Sequence, residues 1–357
     1  MTTEGAWLGR KGTSLSTVGE FGLIDRLKLI VERETRARGL SSERLAIGIG
    51  DDAAAYRPDP DCEILVTCDI QVSGRHFVPS WISPRALGGR CIAVNVSDIG
   101  AMGGMPRAAL VSLGLGPEIA VEDIEALYEG MMDRLLPLGT LLAGGNVSSL
   151  ESGLIIDVTV IGEVEKGRAI RRDTARAGDI IWVTGYPGSA AAGLAILEAR
   201  GGRPETGAIA SLVEAYLQPA ARPVEGRALG RSGAVTAMID LSDGLIGDLR
   251  HMVEGPGIGA LLRAESLPRS EPLREAAAIL GRSAESLLFS PSDDYELLFT
   301  TRPEAAERAI GALREASTVP VWPIGEIIAE ASGRILLEAR DGSRREAQAS
   351  GWDHFAG

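Results

Sequence analysis

The chain is poor in cysteine, in positive charge and in long apolar runs, and each shortage excludes something. Its three cysteines, Cys62, Cys68 and Cys91, show no Cys-x-x-Cys spacing and no neighbouring histidine. A disulfide framework or a zinc site is therefore not expected, and reduced thiols are. Lys and Arg number 36 against 49 Asp and Glu, a net charge of −13, with a pI near 4.9. That balance argues against a face for nucleic acid. No apolar stretch approaches the roughly 18 residues of a membrane helix, and the N-terminal segment lacks the apolar centre of a signal peptide. The expectation is a cytoplasmic protein with neither membrane nor nucleic acid as partner. There is no Walker A Gly-x-x-x-x-Gly-Lys-Ser/Thr, no protein-kinase Gly-rich loop and no internal repeat.

What is present is ordinary for a globular enzyme: 357 residues, 45% hydrophobic and 24% charged, with 45 Gly and 18 Pro spread along the chain. The length suggests two or three domains, and the scattered Gly and Pro suggest many turns rather than one linker. Residues 1–18 read as a loose leader. Phe21, Ile24, Leu27 and Val31 predict an amphipathic helix over 20–38. Residues 46–49 read as a short strand entering a turn. Over 63–70, Ile64, Val66, Cys68 and Ile70 fall on one strand face and Leu65, Thr67 and Asp69 on the other. Ser83-Pro84 opens a helix that should stop at Gly103-Gly104. Strands follow at 108–115, 140–143 and 154–164, with a helix over 121–136 between the first two. An Arg cluster, Arg168, Arg171, Arg172 and Arg176, precedes Gly178-Asp179. It marks the expected boundary between an N-terminal domain, 19–165, and a C-terminal α/β domain, 166–357. The second domain should hold strands at 179–184, 234–240, 295–300 and 322–328, and helices near 188–200, 207–217, 222–231 and 244–254.

Several carboxylates sit in the wrong company for surface decoration. Leu87, Cys91, Val94 and Asp98 are spaced i, i+4, i+7, i+11, so Asp98 continues an apolar helical stripe. A carboxylate there needs a partner, a metal or a proton; a core Asp capping a turn is the plain alternative. Asp51 and Asp52 follow a Gly-x-Gly turn, Asp69 ends a strand on the Thr67 face, Asp240 ends another, and Ser242-Asp243-Gly244 opens a helix. Strand ends and helix starts are where α/β proteins place their sites. Two carboxylates about 4 Å apart repel by roughly 4 kcal/mol at an effective dielectric near 20, so a cluster of them calls for multivalent cations. Hard oxygen ligands suit Mg²⁺ shared with water and substrate phosphates. Gly103-Gly104, Gly144-Gly145 and Gly185-x-x-Gly188-Ser189 are either places where backbone amides approach phosphate or plain turns.

These segments resemble the thiamine-monophosphate kinases, in order and over nearly the whole chain. The resemblance is carried by Gly19-Glu20-Phe21, Gly48-Ile49-Gly50-Asp51-Asp52-Ala53-Ala54, Thr67-Cys68-Asp69, Gly74-Arg75-His76-Phe77, and Ala93 to Ile99 with Ala101-Met102-Gly103-Gly104. It continues in Asp240-Leu241-Ser242-Asp243-Gly244-Leu245, Asp293-Asp294-Tyr295-Glu296-Leu297 and the tail Gly351-Trp352-Asp353-His354-Phe355. It implies an α/β, two-domain fold with mixed sheets like that of aminoimidazole-ribonucleotide synthetase, the N-terminal domain forming a barrel-like core of a homodimer. It implies ATP-dependent phosphorylation of thiamine monophosphate to thiamine diphosphate, with several Mg²⁺ ions.

By the same resemblance, Asp52, Thr67, Cys68, Asp69, Asp98, Asn146, Asp240 and Asp243 match metal positions. Gly145, Asn146, Arg172 and Ser242 match ATP positions, and His76, Asp293 and Trp352 match thiamine-phosphate positions. Asp98, Asp243 and Arg172 are the implied catalytic set. The chain departs from the pattern at Cys68 (usually Thr), Asn146 (often Asp), Asp293 (usually Glu) and Trp352 (often Tyr). The alternatives are another ATP-using enzyme of the superfamily or a non-catalytic nucleotide-binding paralogue. Against the first stand the missing Cys–Lys pair of a selenophosphate synthetase and the missing C-terminal Cys of the hydrogenase-maturation relative.

Overall fold

The structure is a computed structural model, described here for residues 7–202, 207–255, 257–329 and 333–347. Two compact units divide the chain: Met1–Ile99 with Met105–Lys166, and Gly100–Gly104 with Gly167–Gly357. Among the described residues no helix is long and apolar enough to cross a membrane.

The first unit runs α1 (Leu15–Ala37), β1 (Leu45–Ile47), β2 (Ala55–Tyr56), β3 (Cys62–Val72), α2 (Pro84–Ala101, whose last two residues count with the second unit), β4 (Met105–Leu115), α3 (Val121–Leu135), β5 (Leu141–Ser149) and β6 (Leu154–Glu165). Its sheet has the order β3-β6-β4-β5, with β4 and β5 parallel and the other neighbours antiparallel. Helix α2 packs on one face of the sheet, where Gly162 of β6 leaves room for Ile99. It also packs against α3 backbone to backbone: a Cβ on Gly88 would lie 1.9 Å from the Leu127 carbonyl oxygen, and one on Gly130 1.8 Å from that of Arg85. The buried stripe Ile124, Leu127, Met131 and Leu135 of α3 follows the helical spacing of the sequence.

Three readings need correction here. Trp7 lies within the supposed leader, yet it is 2% exposed and its indole N–H donates to the Ile82 carbonyl at 2.8 Å. Phe21 is 79% exposed. Gly19, at φ 71°, breaks the helical path, and the face that packs is Leu23, Leu27, Ile30 and Val31. Gly144-Gly145 is no turn: β5 continues through both. A Cβ on Gly145 would sit 1.8 Å from the Val111 carbonyl oxygen, so glycine allows β4 and β5 to pair so closely.

The second unit contains β7 (Ile180–Thr184), α4 (Ser189–Arg200), α5 (Ala208–Leu217), α6 (Pro223–Ser232), β8 (Val235–Asp240), α7 (Leu245–Met252), β9 (Gly259–Arg263), α8 (Glu271–Leu280), α9 (Ala284–Leu288), β10 (Leu297–Thr301), α10 (Ala306–Ala316), β11 (Val321–Ile328), β12 (Ile335–Glu338) and β13 (Arg344–Glu346). These strands form one sheet, β13-β12-β9-β11-β7-β10-β8. Alternation splits its side chains between two cores. Ala237, Ile239 and Leu298 pack with Leu245, Ile246 and Leu249 of α7. Met238, Leu297 and Phe299 pack with Leu229 of α6 and with Ile310 and Leu313 of α10. Helices α8, α9 and α10 and strands β9, β12 and β13 had no counterpart in the sequence reading.

Candidate active site

In the first unit the strand face read from the sequence is the one observed. Ile64, Val66 and Ile70 are 44%, 65% and 48% exposed, while Thr67 and Asp69 turn toward α2. On α2, every residue from Ala86 to Ala101 is buried except Asp98, so the helix gives up its seal at the one carboxylate. Thr67 Oγ1 donates to Asp98 Oδ2 at 2.5 Å, and the Asp69 and Asp98 carboxyls hydrogen-bond to each other. The Asp69 N–H donates to Asn95 Oδ1 at 3.2 Å, and Asn95 Nδ2 donates to the Cys91 carbonyl at 3.0 Å. Buried Asn95 thus pins the strand to the helix one turn before Asp98.

Burial, the charge of Asp98 and the hydrogen bond to it push the Asp69 carboxyl up to about 7. Burial also raises Asp98, against the opposing hydrogen bonds from Thr67 and Asp69. Two carboxyls in this state hold a proton between them, the place a cation would take. Among the described residues no three Asp, Glu, His or Cys side chains converge on one point as a ready-made metal cage. Mg²⁺ does not require one: it commonly takes one or two carboxylates and completes its shell with water and phosphate. The Asp69–Asp98 pair with the Thr67 hydroxyl fits that demand.

Other expected residues lie elsewhere. Cys68 faces away from Asp69, and its thiol donates to Asp157 Oδ1 at 3.0 Å, so only its backbone is available on the Thr67–Asp69 side. Asp52 is exposed, its N–H bonded to Asp51 Oδ1 at 2.8 Å. Asn146 is in register with Ser112, Ser112 with Asp157, and Asp157 with Ile70. The four form one row on the face opposite α2, with Asn146 about 14 Å from β3 at the usual strand spacing. Asp157 was not anticipated. Its signal was there: it is the one charged residue between Leu154 and Gly162. His76 accepts the Val72 N–H on Nδ1 at 3.0 Å, which leaves Nε2 as the nitrogen that carries hydrogen in the neutral ring. A cavity of about 510 Å³ is lined by Lys28, Glu32, Gly48, Ile49, Leu141 and Leu142. Its walls continue along the chain into Asp51-Asp52 and into Gly144-Gly145-Asn146.

In the second unit Asp240 ends β8 and Ser242-Asp243 form the turn into α7. Asp248, in the first turn of α7, is pushed up to about 9 by burial and then by the charges of Asp240 and Asp243. Sequence reasoning gave it no role, although Leu245, Asp248, Leu249 and Met252 show the same carboxylate-in-a-stripe pattern that singled out Asp98. Asp293 is half-buried and accepts the Tyr295 hydroxyl at 3.3 Å. Its neighbours are structural. Asp294 accepts the N–H groups of Gly188 and Ala190 at 2.6 and 2.8 Å, and the Gly185 and Ser189 N–H groups go to the Pro320 and Tyr186 carbonyls, so these amides of the Gly185-x-x-Gly188-Ser189 segment are already paired. Glu296 is held by Arg222 through two contacts, at 2.6 and 2.8 Å, and by the Thr184 hydroxyl at 2.6 Å. Arg172 is exposed before β7. Trp352 lies outside the described residues.

Residues 50–164 match the family described as AIR synthase related protein, N-terminal domain, and residues 176–338 match AIR synthase related protein, C-terminal domain. The thiamine-monophosphate kinase of Salmonella typhimurium is 35% identical over 340 residues, 95% of this chain and 98% of the relative. Among solved structures, thiamine-monophosphate kinase from Stenotrophomonas maltophilia K279a aligns with a TM-score of 0.77 at 35% identity, over 91% of this chain and 98% of that one. AaThiL complexed with AMPPCP and TMP aligns with a TM-score of 0.73 at 31% identity, over 96% and 98%.

Proposed function

The chain belongs to the thiamine-monophosphate kinase family, and we propose that it phosphorylates thiamine monophosphate with ATP to give thiamine diphosphate. The observation that carries the chemistry is the half-buried, hydrogen-bonded Asp69–Asp98 pair beside Thr67, on a chain whose relative was solved with AMPPCP, an ATP analogue, and TMP.

The acceptor is itself a phosphate, ionised at neutral pH, so no strong base is needed to make the nucleophile. What remains is to hold two polyanions in line and neutralise their charge. Mg²⁺, when bound, would supply that charge neutralisation. Asp69, Asp98 and Thr67, with the Cys68 backbone, Asp52 and Asn146, would hold it in the first unit. Asp240 and Asp243 would do so in the second. Asp98 and Thr67 are fixed by their mutual hydrogen bond and Asp69 by Asn95, so this donor set needs no rearrangement beyond loss of the shared proton. Gly145 and Asn146 would contact ATP, with the neighbouring cavity taking part of the nucleotide; Ser242 and the Arg172 guanidinium would contact its phosphates. His76, Asp293 and Trp352 would contact thiamine monophosphate.

We further infer a homodimer in the cytoplasm. The support is the outer face of β3, an edge strand of 11 residues that presents Ile64, Val66 and Ile70 to solvent. An apolar, unpaired edge of that length is one that monomers avoid.

The test is incubation of the purified chain with ATP, Mg²⁺ and thiamine monophosphate, with thiamine diphosphate and ADP quantified by chromatography. Equal amounts of both products are expected. ADP without thiamine diphosphate would overturn the reading.

A further inference from the structure

The turn that carries Ser242 and Asp243 is held from behind by a side chain without a role in the reaction as described. Asp248 is 2% exposed and surrounded by Leu245, Ile246 and Leu249, each fully buried. Its Oδ2 accepts the N–H of Asp243 at 3.0 Å, and its carboxylate also takes the N–H of Ser242. Its own N–H donates to the Gly244 carbonyl at 3.0 Å, which locks it into the start of α7. On the other side, the Leu241 N–H donates to the Glu296 carbonyl at 2.8 Å and the Leu241 carbonyl accepts the Tyr295 N–H at 2.8 Å. The backbone from Asp240 to Asp243 is therefore clamped at both ends, by strand-like bonds at Leu241 and by one carboxylate at Ser242 and Asp243.

A carboxylate is an unfavourable choice for that clamp on stability grounds alone. It is buried, and it faces the carboxylates of Asp240 and Asp243. A Ser or Asn would accept an N–H without adding a negative charge that Asp240 and Asp243 oppose. What a carboxylate offers is two acceptor oxygens in one plane, enough to fix two successive amides and with them the directions of two successive side chains.

We propose that Asp248 is a positioning residue of the kinase reaction: it fixes the Ser242-Asp243 turn so that Asp243 is presented alongside Asp240 to a divalent cation. The inference rests on Asp240 and Asp243 as metal ligands. Groups that orient metal ligands from behind are typically worth about 10- to 100-fold in metal affinity.

The test measures metal binding directly, as free Mn²⁺ by electron paramagnetic resonance in the presence of ADP, on full-length wild type, Asp248→Asn, Asp248→Ala and Asp243→Asn. Asn keeps one acceptor oxygen, so Asp248→Asn is expected to weaken Mn²⁺ binding about tenfold. Asp248→Ala keeps none and is expected to lose closer to 100-fold. The Mg²⁺ needed for half-maximal turnover should rise in the same order. Circular dichroism establishes that each variant is folded; if Asp248→Ala is not, Asp248→Asn decides. A folded Asp248 variant that binds Mn²⁺ as wild type does overturns the proposal. Asp243→Asn separates the two layers: unchanged Mn²⁺ binding there sinks the metal reading itself, whereas a loss at Asp243 with none at Asp248 sinks only the present inference.

Discussion

Asp98→Asn should make the metal-free protein more stable at alkaline pH while abolishing its response to Mg²⁺. In the folded protein Asp69 titrates at about 7 against an ordinary value of 3.8. The folded state thus holds this proton more tightly than the unfolded chain. The stabilisation is complete below about pH 4 and is lost as pH rises through 7, on the order of 4 kcal/mol in all. Burial is the largest cause and survives the substitution; the Asp98 charge does not. Asn at 98 can accept from Thr67 and donate to Asp69, reproducing the protonated pair. The share due to Asp98, on the order of 2 kcal/mol, should be recovered at pH 8. For a unit of this size that corresponds to roughly 4–8 °C in melting temperature. Calorimetry in EDTA at pH 8 should show the variant's first-unit transition above wild type, with the gap closing at pH 5. Mg²⁺ with ADP should raise the wild-type transition at pH 8 and leave the variant's unchanged. An equal loss of stability at both pH values, with or without Mg²⁺, would refute the idea of a charge-frustrated pair.

Three further outcomes follow from the packing. Val66→Glu places a charge in the exposed apolar row of β3 and should shift the proposed homodimer to monomer by light scattering. Arg222→Ala leaves Glu296 buried with only the Thr184 hydroxyl, and should cost about 3–5 kcal/mol in denaturant unfolding of the second unit. Gly145→Ala drives a Cβ into the Val111 carbonyl and should destabilise the first unit by about 1–3 kcal/mol. Gly144→Ala meets only the flexible Leu110 side chain, at 3.2 Å, and should cost less in the same assay.

Much of the site was legible from residue order alone. Alternation along β3 separated Thr67 and Asp69 from Ile64, Val66 and Ile70, because strand periodicity is a local property. The apolar stripe of α2 marked Asp98 for the same reason. The ordered motifs were specific enough to indicate the family over nearly the full length. Phe21 was misjudged because Gly19 resets the helical face, and a kink is a backbone state that residue types only permit. The strand through Gly144-Gly145 was missed because its glycines answer to a neighbouring strand far away in sequence.

Which carboxylates act together depends on packing between distant segments. Asp69 and Asp98 are 29 positions apart in the chain, and their shared proton exists because β3 and α2 pack through Asn95. Asp157 and Asp248 became visible when the register and the clamp on the Ser242-Asp243 turn did. Asp294 and Glu296, which stand in the same motif as Asp293, are tied up as a helix cap and an Arg222 partner. A carboxylate's chemistry is set by its burial and neighbours, and those are properties of the packed fold rather than of the chain.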